Sequence, residues 1–322
     1  MRKSIVAVIV MLASAGLVST SSAGPIRDML KQRAEQRREA SKPAHDDDEL
    51  GDGAGGPSAQ GLPAGAAVDK DIAYGSDPAQ RLDVYRPAKP DRNGLVILMV
   101  HGGGWARGDK ANGRVVTNKA AHWLPQGHVF VSTNYRMVPV ADPVQQADDV
   151  GRALAFVQGR AASWGMNPAR VVLMGHSAGS HLVSLLSADQ SIATRQGARP
   201  WLGTVSLDGA GYDVVTIMEG RHFRLYDKAF GTDRNLWIQG SPTRRLNAAP
   251  PPMLLVCSSR RDDSCVQAQG FLAKANAMGG KVERRPEDKS HGEINEQLGL
   301  PGPYTQAVDD FLRRVSSSVA SK

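Results

Sequence analysis

From about Val68 onward the hydrophobic positions change rhythm repeatedly. Asp69 to Tyr74 and Arg81 to Tyr85 alternate as two short strands around the turn Gly75-Ser76-Asp77-Pro78. Leu95 to Val100 is an unbroken apolar run, the pattern of a strand buried on both faces. Val129 to Thr133 and Val171 to Met174 repeat it, as do Thr204 to Leu207 and Met253 to Val256. Between them the period lengthens to that of a helix. Val150, Leu154 and Val157 share one side of Val144 to Ser163, and helices are also predicted over Ala178 to Ser187, Val266 to Met278 and Tyr304 to Val315. Strands alternating with helices predict an α/β fold: a mostly parallel central sheet with helices on both faces, formed by one domain over 69–322.

The first 68 residues follow neither rhythm. Arg2 and Lys3, the apolar stretch Ile5 to Val18 and the small residues Ser21-Ser22-Ala23 have the form of a secretory signal peptide over 1–23. Residues 24–68 read as a flexible tether. They hold a charged stretch, the acidic run Asp46-Asp47-Asp48-Glu49, and a segment dense in Gly, Ala and Pro that cannot build a core. The expectation is an exported protein, periplasmic or secreted, cleaved near Ala23. Export also changes how Cys257 and Cys265 read. They are the two cysteines of the chain, eight positions apart and outside any metal-binding spacing, so they read either as a disulfide pair or as two unpaired thiols, one of them buried as a small hydrophobe.

A net charge of +7 is carried by the folded part, in pairs such as Arg244-Arg245, Arg260-Arg261, Arg284-Arg285 and Arg313-Arg314. No nucleic-acid-binding module accompanies it, so nucleic acid is not an expected partner. A cationic surface that makes weak contact with anionic envelope polymers is the simpler expectation. No His/Cys/carboxylate cluster suggests a metal, and no cofactor motif is present.

Two glycine-rich segments follow predicted strands. Gly175-His176-Ser177-Ala178-Gly179 joins the strand ending at Met174 to the helix beginning at Ala178. A strand-to-helix turn this sharp exposes the middle hydroxyl and leaves room for little more than hydrogen two positions to either side. His101-Gly102-Gly103-Gly104-Trp105 follows Val100 directly. A glycine run lets backbone amides turn toward a developing oxyanion, so Gly103, Gly104 and Ala178 are the expected donors. Ser177, the expected nucleophile, needs a base and an acid to orient that base. On this kind of turn they follow in the order serine, acid, histidine. Of the histidines beyond Ser177, His291 alone follows a candidate acid at a strand end; His181 and His222 read as structural, as does His101. The acid is expected after the strand Met253 to Val256, at Asp262 or Asp263, with the interval favouring Asp262.

Gly175 to Leu182, the His101 to Trp105 loop and Arg81-Leu82-Asp83-Val84-Tyr85-Arg86-Pro87 resemble the α/β-hydrolase superfamily. The likeness is to the carboxylesterase branch that includes feruloyl-esterase-like enzymes and arylformamidases, and it covers about residues 69–318. It implies hydrolysis of small-molecule carboxylic esters with small or medium acyl groups. Cleavage of an aryl formamide, or a catalytically silent binding protein on the same fold, are the other readings. Tyr212 to Asn247 has no long apolar stretch suited to a large lid. The family often shows Gly-x-x-Asp at the acid, whereas Ser259 stands at the glycine position here.

Overall fold

In the computed structural model, residues 61–317 are described. The expected signal peptide and all but the end of the expected tether lie outside them. The strands are β1 (Ala67–Ala73), β2 (Arg81–Arg86), β3 (Val96–Val100), β4 (Val129–Thr133), β5 (Val171–His176), β6 (Gly203–Leu207), β7 (Met253–Ser258) and β8 (Val282–Glu287). They form one sheet in the order β1-β2-β4-β3-β5-β6-β7-β8. The pairs β1–β2 and β2–β4 are antiparallel, and all the others are parallel.

The helices are α1 (Gly113–Trp123), α2 (Pro143–Arg160), α3 (Ala178–Ala188), α4 (Ser191–Arg195), α5 (Val214–Glu219), α6 (Arg224–Phe230), α7 (Arg234–Gln239), α8 (Pro242–Arg245), α9 (Ser264–Ala277), α10 (His291–Glu296) and α11 (Pro303–Ser317). Among the described residues no helix is long and apolar enough to cross a membrane. Each strand residue points to the face opposite its neighbours. On β3, Val96, Leu98 and Val100 join a cluster with Val150, Leu154 and Val157 of α2 and Leu182 and Leu186 of α3. Ile97 and Met99 meet Val115 and Val116 of α1 and Val308, Phe311 and Leu312 of α11 on the other face. Both layers therefore bury β3 completely, which is why its sequence shows no polar alternation.

Three elements depart from the sequence expectations. β8, Val-Glu-Arg-Arg-Pro-Glu, is an edge strand with mostly solvent-facing side chains, and an edge needs neither apolar alternation nor exclusion of Pro286. The region 214–245 between β6 and β7 folds as four short helices, and Phe223, Leu225 and Trp237 from it pack on the core beside α3. Ala67 and Val68, at the end of the expected tether, pair with Arg86 and Tyr85 as the start of β1. Leu62, Ala66 and Val68 also pack against the second core cluster.

Candidate active site

Every parallel strand ends on the same edge of the sheet, and the loops there gather the chemistry. At the end of β5 the chain reverses into α3 within one residue. Ser177 takes φ 55° and ψ −118°, a conformation that costs a non-glycine residue energy and is held here by the elements on either side. A Cβ at Gly175 would sit 2.3 Å from the Gly179 carbonyl oxygen, and one at Gly179 would sit 2.2 Å from that of Val100. Both positions therefore exclude any side chain, and the second contact seats the start of α3 against the end of β3.

The His101 to Trp105 loop leaves β3 beside this turn. Gly103 and Gly104 have φ of 114° and 57°. The carbonyl of Gly103 accepts from the amides of Ala106 and Arg107, and a Cβ on Gly103 would lie 2.1 Å from the Arg107 oxygen. Among the described residues no acceptor engages the amides of Gly103 or Gly104. Ala178 presents its amide at the N-terminus of α3, where the helix has no internal acceptor for it. Leu225 of α6 comes within 3.8 Å of the position a Gly104 Cβ would take.

Two histidines shape the loop. The buried His101 stacks on Tyr135 with ring centroids 4.6 Å apart and donates from Nδ1 to the Gly102 carbonyl at 2.7 Å. Burial pushes its pKa down. His181 on α3 accepts the indole N–H of Trp105 at Nδ1, 3.1 Å away. Its Nε2 therefore carries the proton and donates to the Gly240 carbonyl at 2.6 Å. Burial brings its pKa down to about 4, against a smaller raising effect of that carbonyl bond. Neutral His181 thus ties the glycine loop, through Trp105, to the helix that follows Ser177.

His291 opens α10. Its Nδ1 lies 2.5 Å from Oδ2 of Asp208, the residue directly after β6. A carboxylate has no proton to give, so the imidazole donates. Asp208 is fully buried. Its Oδ1 accepts from the Ser258 amide at 2.6 Å and the Ser264 hydroxyl at 2.5 Å. Burial alone would raise its pKa. The bond from His291, the charges of His291 and Arg261, and the Ser264 hydroxyl outweigh that and hold it well below the usual carboxylate range.

This geometry corrects the expectation for the acid. Asp262 is exposed, and Asp263 is engaged by Nε and Nη2 of Arg261, both at 3.1 Å. β7 continues to Ser258, and the turn beyond it directs Arg261 inward instead of either aspartate. The place beside His291 is filled from the neighbouring strand end. The signal for Asp208 was present: a carboxylate directly after a legible buried strand, between Ser177 and His291 in the chain.

His291 and its helix are held from several sides. His176, the residue before Ser177, donates from Nε2 to the His291 carbonyl at 3.0 Å, with the two rings 4.5 Å apart. Ser290 and Glu293 form a reciprocal cap at the start of α10. Lys119 of α1 donates to the Asn295 carbonyl at 2.5 Å and to its side-chain oxygen at 3.0 Å. The Tyr304 hydroxyl donates to the Ile294 carbonyl at 2.8 Å. Cys257 and Cys265 are joined as a disulfide, Cα atoms 5.1 Å apart, across the turn that carries Arg261, Asp262 and Asp263. Among the described residues no group of His, Cys, Asp or Glu is arranged to hold a metal ion.

Comparison with known proteins agrees with this architecture. Residues 82–203 match the BD-FAE family model. The chain is 28% identical over 267 residues to isoprenylcysteine alpha-carbonyl methylesterase ICME of Arabidopsis thaliana, covering 76% of this chain and 61% of that protein. It is also 28% identical to esterase LipC of Mycobacterium tuberculosis, covering 77% and 66%. The chain thus spans less than two thirds of the length of these curated relatives. Among solved structures, esterase B from Lactobacillus rhamnosis superposes with a TM-score of 0.66 at 20% identity, over 92% of this chain and 97% of that one. A carbohydrate esterase from gut microbiota superposes with 0.67 at 16% identity, over 81% and 99%. With its mostly parallel eight-stranded sheet, serine elbow and glycine loop, the chain has the α/β-hydrolase fold and is similar to esterases of that fold.

Proposed function

We propose that this protein is a serine hydrolase of carboxylic esters, with Ser177 as nucleophile, His291 as base and Asp208 as the acid. The observation that carries the reading is the bond between the buried Asp208 and the partly exposed His291, beside the strained Ser177 turn. With Nδ1 of His291 donating to Asp208, Nε2 is the nitrogen that takes the Ser177 proton. The alkoxide attacks the acyl carbon. The negative charge passes to the carbonyl oxygen, toward the amides of Gly103, Gly104 and Ala178. Collapse expels the alcohol, protonated by His291, and leaves an acyl-enzyme. Water, deprotonated by the same imidazole, then releases the acid and restores Ser177.

Small or medium acyl groups are proposed because 214–245 is broken into four short helices packed on the core rather than one apolar lid. Export is proposed from the residue pattern of 1–23, and the Cys257–Cys265 bond is in keeping with an oxidising compartment. The test is a panel of p-nitrophenyl esters of increasing acyl length with fluorophosphonate labelling and peptide mapping. Turnover of short esters and a label on Ser177 are expected, both lost in Ser177→Ala. A label on Ser180 or Ser184, or turnover that survives the substitution, would overturn the reading.

A further inference from the structure

Ester hydrolysis calls for a carboxylate beside the base, and a cation there works against it. Yet the guanidinium of Arg261 reaches the same pair. Its Nη1 lies 2.7 Å from Nδ1 of His291 and 3.0 Å from Oδ2 of Asp208. Its other edge is held by the two oxygens of Asp263. Arg261 is half-buried, and its turn is closed by the Cys257–Cys265 disulfide, so the group is not a freely moving surface chain.

A guanidinium can only donate. When His291 acts as a base its Nδ1 bears a proton donated to Asp208, and Nη1 then has nothing to bond at that nitrogen. It stands as a positive charge beside a ring that must become positive. In the other tautomer Nδ1 accepts from Arg261, and the proton moves to Nε2, where it blocks transfer from Ser177. Arg261 therefore competes with His291 for Oδ2 of Asp208, and with protons for Nδ1.

We infer that Arg261 is a positioning and tuning residue that offsets Asp208, keeping His291 unprotonated, and the enzyme active, at lower pH than an Asp–His pair alone would allow. The inference rests on the ester-hydrolase reading above. Among the described residues, the groups facing His291 include His176 from β5, Asp208 from the end of β6, and Arg261 with Asp263 behind it from the β7–α9 turn. On its own helix Glu293 is paired with Arg260, which also holds Asp288. Lys289, just before α10, is bonded to Gln297. Tyr226 of α6 lies within electrostatic reach of Arg261. Arg261 thus places a cation in direct contact with the imidazole.

The experiment is the pH dependence of kcat/KM on a soluble short-chain ester for the wild type, Arg261→Gln and Arg261→Lys. Arg261→Gln is expected to move the acid limb upward by about one pH unit, and Arg261→Lys, which keeps the charge, to leave it within a few tenths. An unmoved limb in Arg261→Gln would overturn the inference even if stability fell. Should that variant not fold, Asp263→Asn removes the countercharge and is expected to move the limb downward; no shift or an upward one would count against the idea. His291 titration by 15N-histidine NMR in the Ser177→Ala background gives the same comparison without turnover. Loss of the ester reading would appear as activity surviving Ser177→Ala, while failure of this inference would appear as a His291 titration indifferent to Arg261.

Discussion

At Asp208 one side chain carries four contacts: His291, Arg261, the Ser258 amide and the Ser264 hydroxyl. Asp208→Asn keeps the shape but cannot hold the imidazole in the working tautomer, so kcat is expected to fall by about 10³–10⁴. Asp262→Asn is expected to stay within about twofold of the wild type, since Asp262 is exposed. Steady-state kinetics on both variants check this, and equal losses would refute the placement of the acid. Because the pKa of Asp208 lies below that of an unfolded aspartate, its contribution to stability is complete above the unfolded value of about 4 and is lost as pH falls further. Acid unfolding followed by circular dichroism should therefore show a shallower dependence below pH 4 in Asp208→Asn. At Gly179 the limit is steric. Gly179→Ala places a methyl 2.2 Å from a backbone oxygen that cannot rotate away, and a loss of about 1–3 kcal/mol or outright misfolding is expected in thermal melts.

Ser177 and His291 sit at the starts of two helices, and each helix is anchored differently. The elbow helix α3 meets β6 through hydroxyls: Ser180 and Ser184 bond Ser206, which bonds the Tyr212 hydroxyl, and Ser187 bonds Thr204. Small polar side chains let the helix approach the sheet closely while satisfying one another. The short helix α10, which carries His291, is instead held at its far end by the buried ammonium of Lys119. Burial brings the pKa of Lys119 down to about 7, against the raising influence of Glu296. An unfolded lysine titrates near 10.4, so between about pH 7 and 10 the unfolded state binds the extra proton, and stability rises with pH through this group. Lys119→Met should remove that rise. Denaturant midpoints measured for both proteins at pH 7 and 9.5 decide it: an identical pH increment in the two would show that Lys119 stays charged in the fold.

Among the described residues, packing onto the fold begins before Asp69, earlier than residue composition suggests. A chain beginning at Gly61 retains Leu62, Ala66 and the pairs Ala67–Arg86 and Val68–Tyr85. One beginning at Asp69 loses these contacts from an edge strand and should melt several degrees lower, with little change in rate on a soluble ester. Equal melting temperatures would show that the segment contributes nothing. Reduction of Cys257–Cys265 opens a small ring, worth about 2–3 kcal/mol in a chain-entropy treatment. Its local effect falls on the turn bearing Arg261, so reduction should also displace the acid limb of the pH profile.

The alternation of apolar runs with helical spacing determined the α/β class and the order of the central elements, because burial on both faces leaves a purely local trace. The two glycine motifs marked Ser177 and the loop of Gly103 and Gly104 for the same reason: their backbone geometry is incompatible with side chains at fixed offsets. The edge strand β8 and the short helices of 214–245 left no such trace, since exposed elements can take almost any sequence. The partner of His291 was decided by tertiary structure alone. Asp208, Asp262 and Asp263 all follow strands and all precede the histidine. Which of them meets it depends on how far β7 extends and where the turn after it points, and that is set by contacts between segments far apart in the chain. The same folding brought Arg261 to the imidazole, a juxtaposition that no spacing along the sequence encodes.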